Sequence, residues 1–228
     1  MYRRLPAEQP SATSSETVSN TNTSNPVPSE TISQQPSTTP QLTQSPSTKN
    51  IQDEKTDTIE ERSIFSESDP LNGFFNKLRA KCGGNPHTKG QVVITASSSL
   101  ANNPWQVIDY GWTSHWVTKN EPDQWIKFDF LTGKFHIYSY TLKTYNYVAG
   151  GNHLRSWVIE GSSNGNDWLE LDRRHGLNDL NDRYKVKNFS CKNPGAFRYI
   201  RLKQIGKSHC DSYNLALTNI EFFGILKE

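Results

Sequence analysis

An all-β fold, an antiparallel sandwich, is what this sequence predicts for residues 71–228, and three observations carry it. Short segments there alternate apolar and polar residues with period two, the pattern of strands that bury one face. Polar loops separate them, with no amphipathic helices in between, which argues against a parallel sheet and for an antiparallel one. The apolar material is also confined to this part. No aromatic residue occurs between Tyr2 and Phe65, and all six tryptophans fall from Trp105 onward, although the 228-residue chain is only 33% hydrophobic.

The elements follow in order. Residues 11–50 are nearly all Ser, Thr, Pro, Asn and Gln. So little apolar side chain cannot offset the ~1–2 kcal/mol per residue of ordering entropy. Residues 52–69 turn acidic and end at Asp69-Pro70, so residues 1–70 read as a disordered tail with Thr39-Pro40 and Ser45-Pro46 as points for phosphorylation. A folded domain over 71–228 then opens with a lead-in helix at 71–80, where Leu71, Phe74, Phe75 and Leu78 form one apolar stripe before Gly83-Gly84 stops it. Strands follow at 91–96 (QVVITA), 125–130 (WIKFDF) and 135–145 (FHIYSYTLKTY). A hairpin joins 156–161 (SWVIEG) to 167–171 (DWLEL) through Asn164-Gly165, two residues suited to positive φ. Residues 197–203 (FRYIRLK) and 217–223 (LTNIEFF) complete the set.

Charge divides as apolarity does: residues 1–70 carry a net −5 and residues 71–228 a net +7. The basic residues of the second part are scattered among acids, so no nucleic-acid patch is expected, and the basic and aromatic mixture at 197–203 has the alternation of a strand. Cys82, Cys191 and Cys210 are odd in number and widely spaced, with no CxxC pair for zinc; a Cys191–Cys210 bridge stays open. Asn188-Phe189-Ser190 matches a glycosylation acceptor, a tripeptide short enough to arise by chance. The N-terminus lacks the apolar segment of about 7–15 residues that marks a secretory signal. No run approaches the ~18–20 apolar residues of a membrane span. These features predict a cytoplasmic protein without a membrane anchor.

Several segments, taken together in order, resemble the discoidin, or coagulation factor 5/8 type C, domain of the galactose-binding-like superfamily. They are Val93-Ile94-Thr95-Ala96 with the serines that follow; Ile108-Asp109 and Gly111 ahead of Ser114-His115-Trp116; Trp125–Phe130; the Ser156–Trp168 hairpin; 197–202; and Ile220-Glu221-Phe222-Phe223-Gly224. The resemblance spans roughly 90–226 and implies a jelly-roll sandwich whose loops at one end meet the ligand. Extracellular relatives close the domain with a disulfide just after the final Phe-Gly. Here Ile225 follows Gly224 and Cys82 has no partner there, so the chain looks more like the intracellular branch. Some relatives hold a structural calcium ion, but no Asp-rich loop of the D-x-D-x-D kind is present, and no cofactor is expected.

Catalysis finds no support in the residues. The six histidines lack His-x-x-x-His spacing, Gly83-Gly84 and Gly150-Gly151 make turns and not a phosphate loop, and Asp109 suits a turn cap better than an acid catalyst. Binding does better. The loops that the resemblance places at the ligand end contain Asn102 and Trp105; Trp112 and His115; Tyr145, Tyr147, Asn152, His153 and Arg155; and Lys207, His209 and Tyr213. Aromatic rings there can stack on a sugar face or cover a peptide side chain, while Asn, His and Arg fix orientation. Of these, Asn102, Trp105, Trp112, His115, Tyr145, Tyr147, His153, Arg155, Lys207, His209 and Tyr213 are the candidate ligand-binding residues. Trp105 and Trp112 serve equally well as loop anchors. Trp116, Trp125, Trp157 and Trp168 are expected in the core. The expected function is non-catalytic recognition of a protein or peptide partner, with a glycan as the alternative and anionic lipid behind both.

Overall fold

The computed structural model describes residues 60–227, and the Ser/Thr/Pro-rich segment with its Thr39-Pro40 and Ser45-Pro46 pairs lies outside them. The order of elements is β1 (Glu60–Ser63), α1 (Phe74–Cys82), β2 (Val93–Ala96), a 3-10 turn (Pro104–Ile108), β3 (Trp116–Val117), β4 (Trp125–Asp129), β5 (Lys134–Lys143), β6 (Trp157–Ser162), β7 (Leu169–Arg174), β8 (Val186–Phe197), β9 (Tyr199–Gln204), β10 (Ala216–Leu217) and β11 (Asn219–Lys227). They form a four-stranded sheet, β1-β11-β5-β8, a five-stranded sheet, β2-β4-β9-β6-β7, and a two-stranded patch, β10-β3. All strand pairs are antiparallel.

The period-two pattern sets which faces meet. Ile126 and Phe128 from β4, Ile200 and Leu202 from β9 and Ile159 from β6 face Phe135, Ile137, Tyr140 and Phe222 of the opposing sheet, all buried. α1 turns Phe74, Phe75 and Leu78 into this core, where Phe75 stacks on Phe128 at 5.3 Å and Phe74 packs on Phe135 at 4.7 Å. The helix begins at Phe74, later than the stripe suggests, because Glu221 of β11 reaches its first turn: Oε1 accepts from the Phe75 N–H (2.8 Å) and Oε2 from the Asn76 N–H (3.0 Å). It ends where expected, with Gly83 in the left-handed region at φ 68°.

Three differences from the sequence reading have physical causes. The folded body begins ahead of Leu71, since β1 pairs with β11 and the Phe65 ring sits edge-on against Phe223 at 5.3 Å. At the 164–165 turn only Gly165 has positive φ (80°), because Asn164 Oδ1 accepts from the Asn166 and Asp167 N–H groups and holds its own backbone on the ordinary side. Trp116 and Trp157 are fully buried as expected, but Trp125 and Trp168 face outward and are half-buried, with the Arg201 guanidinium lying 3.9 Å over Trp168. The three cysteines are free, which answers the question of a Cys191–Cys210 bridge that the sequence leaves open.

Two side chains singled out in the sequence have structural partners. The Asn188 amide lies within β8 and donates to Thr141 Oγ1 (3.1 Å) and Ser139 Oγ (3.4 Å), an unfavourable setting for glycan attachment. Asp109 ties its turn in place: its carbonyl accepts from the Trp112 N–H (3.0 Å) and its carboxylate from Asn85 Nδ2 (2.7 Å). Among the described residues no helix is long and apolar enough to cross a membrane.

Candidate functional site

At one end of the sandwich the chain leaves β5, passes through residues 144–156 and re-enters at β6, beside the connections that precede β3 and β10. These loops hold one another through specific bonds. Asn102, at φ 62°, donates from Nδ2 to the His115 carbonyl (2.7 Å). The His209 N–H donates to the His153 carbonyl (3.2 Å), and the Tyr213 N–H donates to Asn120 Oδ1 (2.8 Å). Rigid sheets present the loop tips, an arrangement that suits recognition.

Between the tips lies a cleft of ≈ 420 Å³ lined by His115, Tyr145, Tyr147, Gly150, Gly151, Asn152 and Cys210. Its walls are planar rings. His115 lies 4.6 Å from Tyr145, and Tyr147 stacks on the other rings through Tyr145 at 6.0 Å. Tyr145 is buried, and its hydroxyl oxygen accepts from the Asn152 N–H (2.8 Å), whereas Tyr147 is 54% exposed. Burial pushes the Tyr145 hydroxyl above the usual tyrosine range and holds His115 below the usual imidazole range. Among the described residues no Asp, Glu, Lys or Arg lines the cleft, so they offer a ligand flat apolar faces and neutral hydrogen-bonding groups.

The eleven sequence-nominated residues divide accordingly. His115, Tyr145 and Tyr147 line the cleft, and Asn102 braces it from behind. The other seven do not line it. Trp105 and Trp112 are half-buried against the hydrophobic core, Trp105 also stacking on His87 at 6.0 Å. His153 is fully buried. Arg155 is exposed, and its carbonyl accepts from the Leu177 N–H (2.9 Å). Lys207 pairs with Asp211 at 2.9 Å and lies over the half-buried Tyr213 ring at 5.9 Å. His209 places Nε2 3.0 Å from the Leu177 carbonyl.

Gly150, Gly151 and Cys210 went unnoticed as cleft residues. The glycine pair did carry a signal, since it follows Tyr147 and bares backbone beside a ring. A Cβ at Gly151 would fall 2.6 Å from Tyr147 Cδ1 and 2.8 Å from the Tyr145 hydroxyl, so only glycine leaves room for both rings. Cys210 had no such signal.

Residues 93–217 match the model of the F5/8 type C domain. Among solved structures, the chain is similar to CpGH89CBM32-5 from Clostridium perfringens in complex with GalNAc-β-1,3-galactose, at 17% identity over 59% of this chain and 96% of that one, with a TM-score of 0.48. It is similar also to the CBM32 of AlyQ in complex with 4,5-unsaturated mannuronic acid, at 22% identity over 57% of this chain and 93% of that one, TM-score 0.47. A third is the f-lectin from striped bass (Morone saxatilis) serum, at 17% identity over 60% of this chain and 47% of that one, TM-score 0.48. No curated protein matches the chain.

Proposed function

The chain belongs to the F5/8 type C domain family, and from that premise we propose that it is a non-catalytic binding module whose loop-end cleft takes a saccharide ring. The observation that carries this reading is the lining of the cleft: the rings of His115, Tyr145 and Tyr147, with Asn152 and two glycines, and no Asp, Glu, Lys or Arg among the described residues. Planar rings match the C–H faces of a pyranose, and amide and hydroxyl groups match its hydroxyls. The ≈ 420 Å³ volume falls in the small-molecule range of about 300–1,000 Å³. A protein partner would instead need a contact area of roughly 800 Å² on this side. Among the described residues the lining also holds no carboxylate to act as acid, base or nucleophile on a glycosidic bond.

A protein or peptide partner is the second reading, favoured by the adjacent exposed side chains of Tyr147 and Val148. A glycan array followed by titration with galactose and N-acetylgalactosamine tests the first. Wild type should bind. Tyr147→Ala should weaken binding about 3- to 10-fold, since an aromatic contact contributes ~0.5–1.5 kcal/mol beyond its area. Gly151→Ala, by displacing the Tyr147 ring, should act in the same direction. An array without hits at high protein concentration, together with capture of a protein partner sensitive to Tyr147→Ala, would replace the saccharide reading with the second.

A further inference from the structure

We propose that His153 is the positioning residue of this cleft: its buried imidazole gathers the backbone of the 146–151 loop and so presents the Tyr147 ring to the ligand. The inference rests on the cleft being the ligand site. The sequence nominates His153 as a direct contact, but the side chain is fully buried and lines no part of the cleft. Its Nε2 instead lies 3.0 Å from the carbonyl of Tyr147 and 3.2 Å from that of Val148. Both partners are acceptors, so Nε2 carries the hydrogen and donates to the two of them. The other ring nitrogen, Nδ1, is buried without a partner.

Two consecutive carbonyls directed at one nitrogen describe a turn wrapped around the imidazole. Little else holds that turn. Residues 146–150 are all exposed. Beyond the Tyr147 ring stacking on Tyr145, their ties are hydrogen bonds from the Tyr147 N–H to the Tyr145 carbonyl (2.8 Å) and from the Gly150 N–H to Asn181 Oδ1 (2.8 Å). His153, by contrast, is firmly seated: its ring packs on Tyr145 at 4.9 Å, and its carbonyl accepts from the His209 N–H. Gly151 lies between the two partners, since a Cβ there would meet Tyr147 Cδ1 at 2.6 Å and His153 Nε2 at 3.3 Å. The imidazole thus acts on the ligand through Tyr147 without touching it.

The test compares His153→Gln with His153→Leu in the full chain. Gln can place its amide Nε2 donor near the lost ring nitrogen, while Leu fills space without donating. Three readouts are taken: hydrogen exchange of the Tyr147 and Gly150 amides, affinity for galactose and N-acetylgalactosamine, and melting temperature. For His153→Leu, exchange at these amides should speed up and affinity should fall, each roughly tenfold for the loss of two backbone contacts, while His153→Gln retains both. Unchanged exchange in His153→Leu would overturn the proposal, as would a Gln variant that melts like wild type yet behaves as Leu does. If wild type binds neither sugar and the glycan array gives no hit, the saccharide reading falls, whereas the exchange data still decide the role of His153. Should both variants fail to fold, the wild-type imidazole ¹⁵N spectrum decides: a proton on Nε2 supports the assignment, and a ring protonated at Nδ1 alone overturns it.

Discussion

Replacing Glu221 with Gln should change how stability depends on pH, and the structure sets both sign and size. The Glu221 side chain comes from β11 and is 3% exposed. Its oxygens accept N–H bonds from Phe75, Asn76 and Phe222, which favour the carboxylate, yet burial dominates and pushes the carboxyl up to about 8 from an ordinary 4.5. The folded protein therefore keeps a proton at this site that the unfolded chain releases above pH 4.5. This contribution to stability is complete below that pH and is lost as pH rises toward 8. Between pH 5 and pH 7 the loss comes to ~2–3 kcal/mol, at 1.36 kcal/mol per unit. That corresponds to a fall in melting temperature of roughly 5–10 °C for a domain of this size.

Gln cannot ionise. Its amide nitrogen would also face a backbone N–H of α1, which lowers stability by about 1–3 kcal/mol at every pH. Urea unfolding followed by tryptophan fluorescence at pH 5, 6 and 7 measures both effects. The difference between the two proteins cancels the other carboxylates, such as Asp129 paired with Arg198. The gap should be widest at pH 5 and should narrow toward pH 7. Parallel curves for wild type and E221Q would refute the reasoning.

Two further outcomes follow from buried polar groups and from the thiols. Tyr140→Phe removes a hydroxyl that donates to Asp172 Oδ2 (2.6 Å) and accepts from Trp157 Nε1 (2.9 Å). It should lower the unfolding free energy by about 1–3 kcal/mol, read from a thermal melt, because the Trp157 N–H is left buried without an acceptor. Cys210 is exposed, Cys82 is half-buried, and burial pushes the Cys191 thiol up to about 12. An aromatic disulfide reagent under native conditions should therefore react first at Cys210, then more slowly at Cys82, and at Cys191 only after denaturant is added.

The sequence made the central strands β4 and β9 readable because their alternation is uninterrupted: Ile126 and Phe128 point inward while Lys127 and Asp129 do not. It concealed β8, whose 12 residues include Asn193-Pro194-Gly195, residue types that disfavour a strand. The strand tolerates them because its pairing with β5 shifts register between Ile137 and Ser139. It concealed β1 as well, since four residues reading EERS carry no apolar signal and are ordered by pairing with β11. Glu221 sits in a strand position that alternation assigns to solvent, and only the arrival of α1 over that face buries it. At the site, the residue types were readable but their directions were not. Tyr145 and Trp105 are both loop aromatics, yet one lines the cleft and the other packs against the core. His153 belongs to the loop that lines the cleft, with its ring turned inward.

The pairing of Glu60 with Lys227 brings the entry and exit points of the described fold side by side at one pole. β11 starts at Asn219, opposite Lys143 and next to the loop that carries Tyr145, so nine residues of extended chain, roughly 30 Å, separate that pole from the cleft. A tether attached at Glu60 or at Lys227 therefore joins the described fold at the pole away from the cleft. Immobilisation through such a tether would leave the aromatic mouth facing outward, with a free approach from solution.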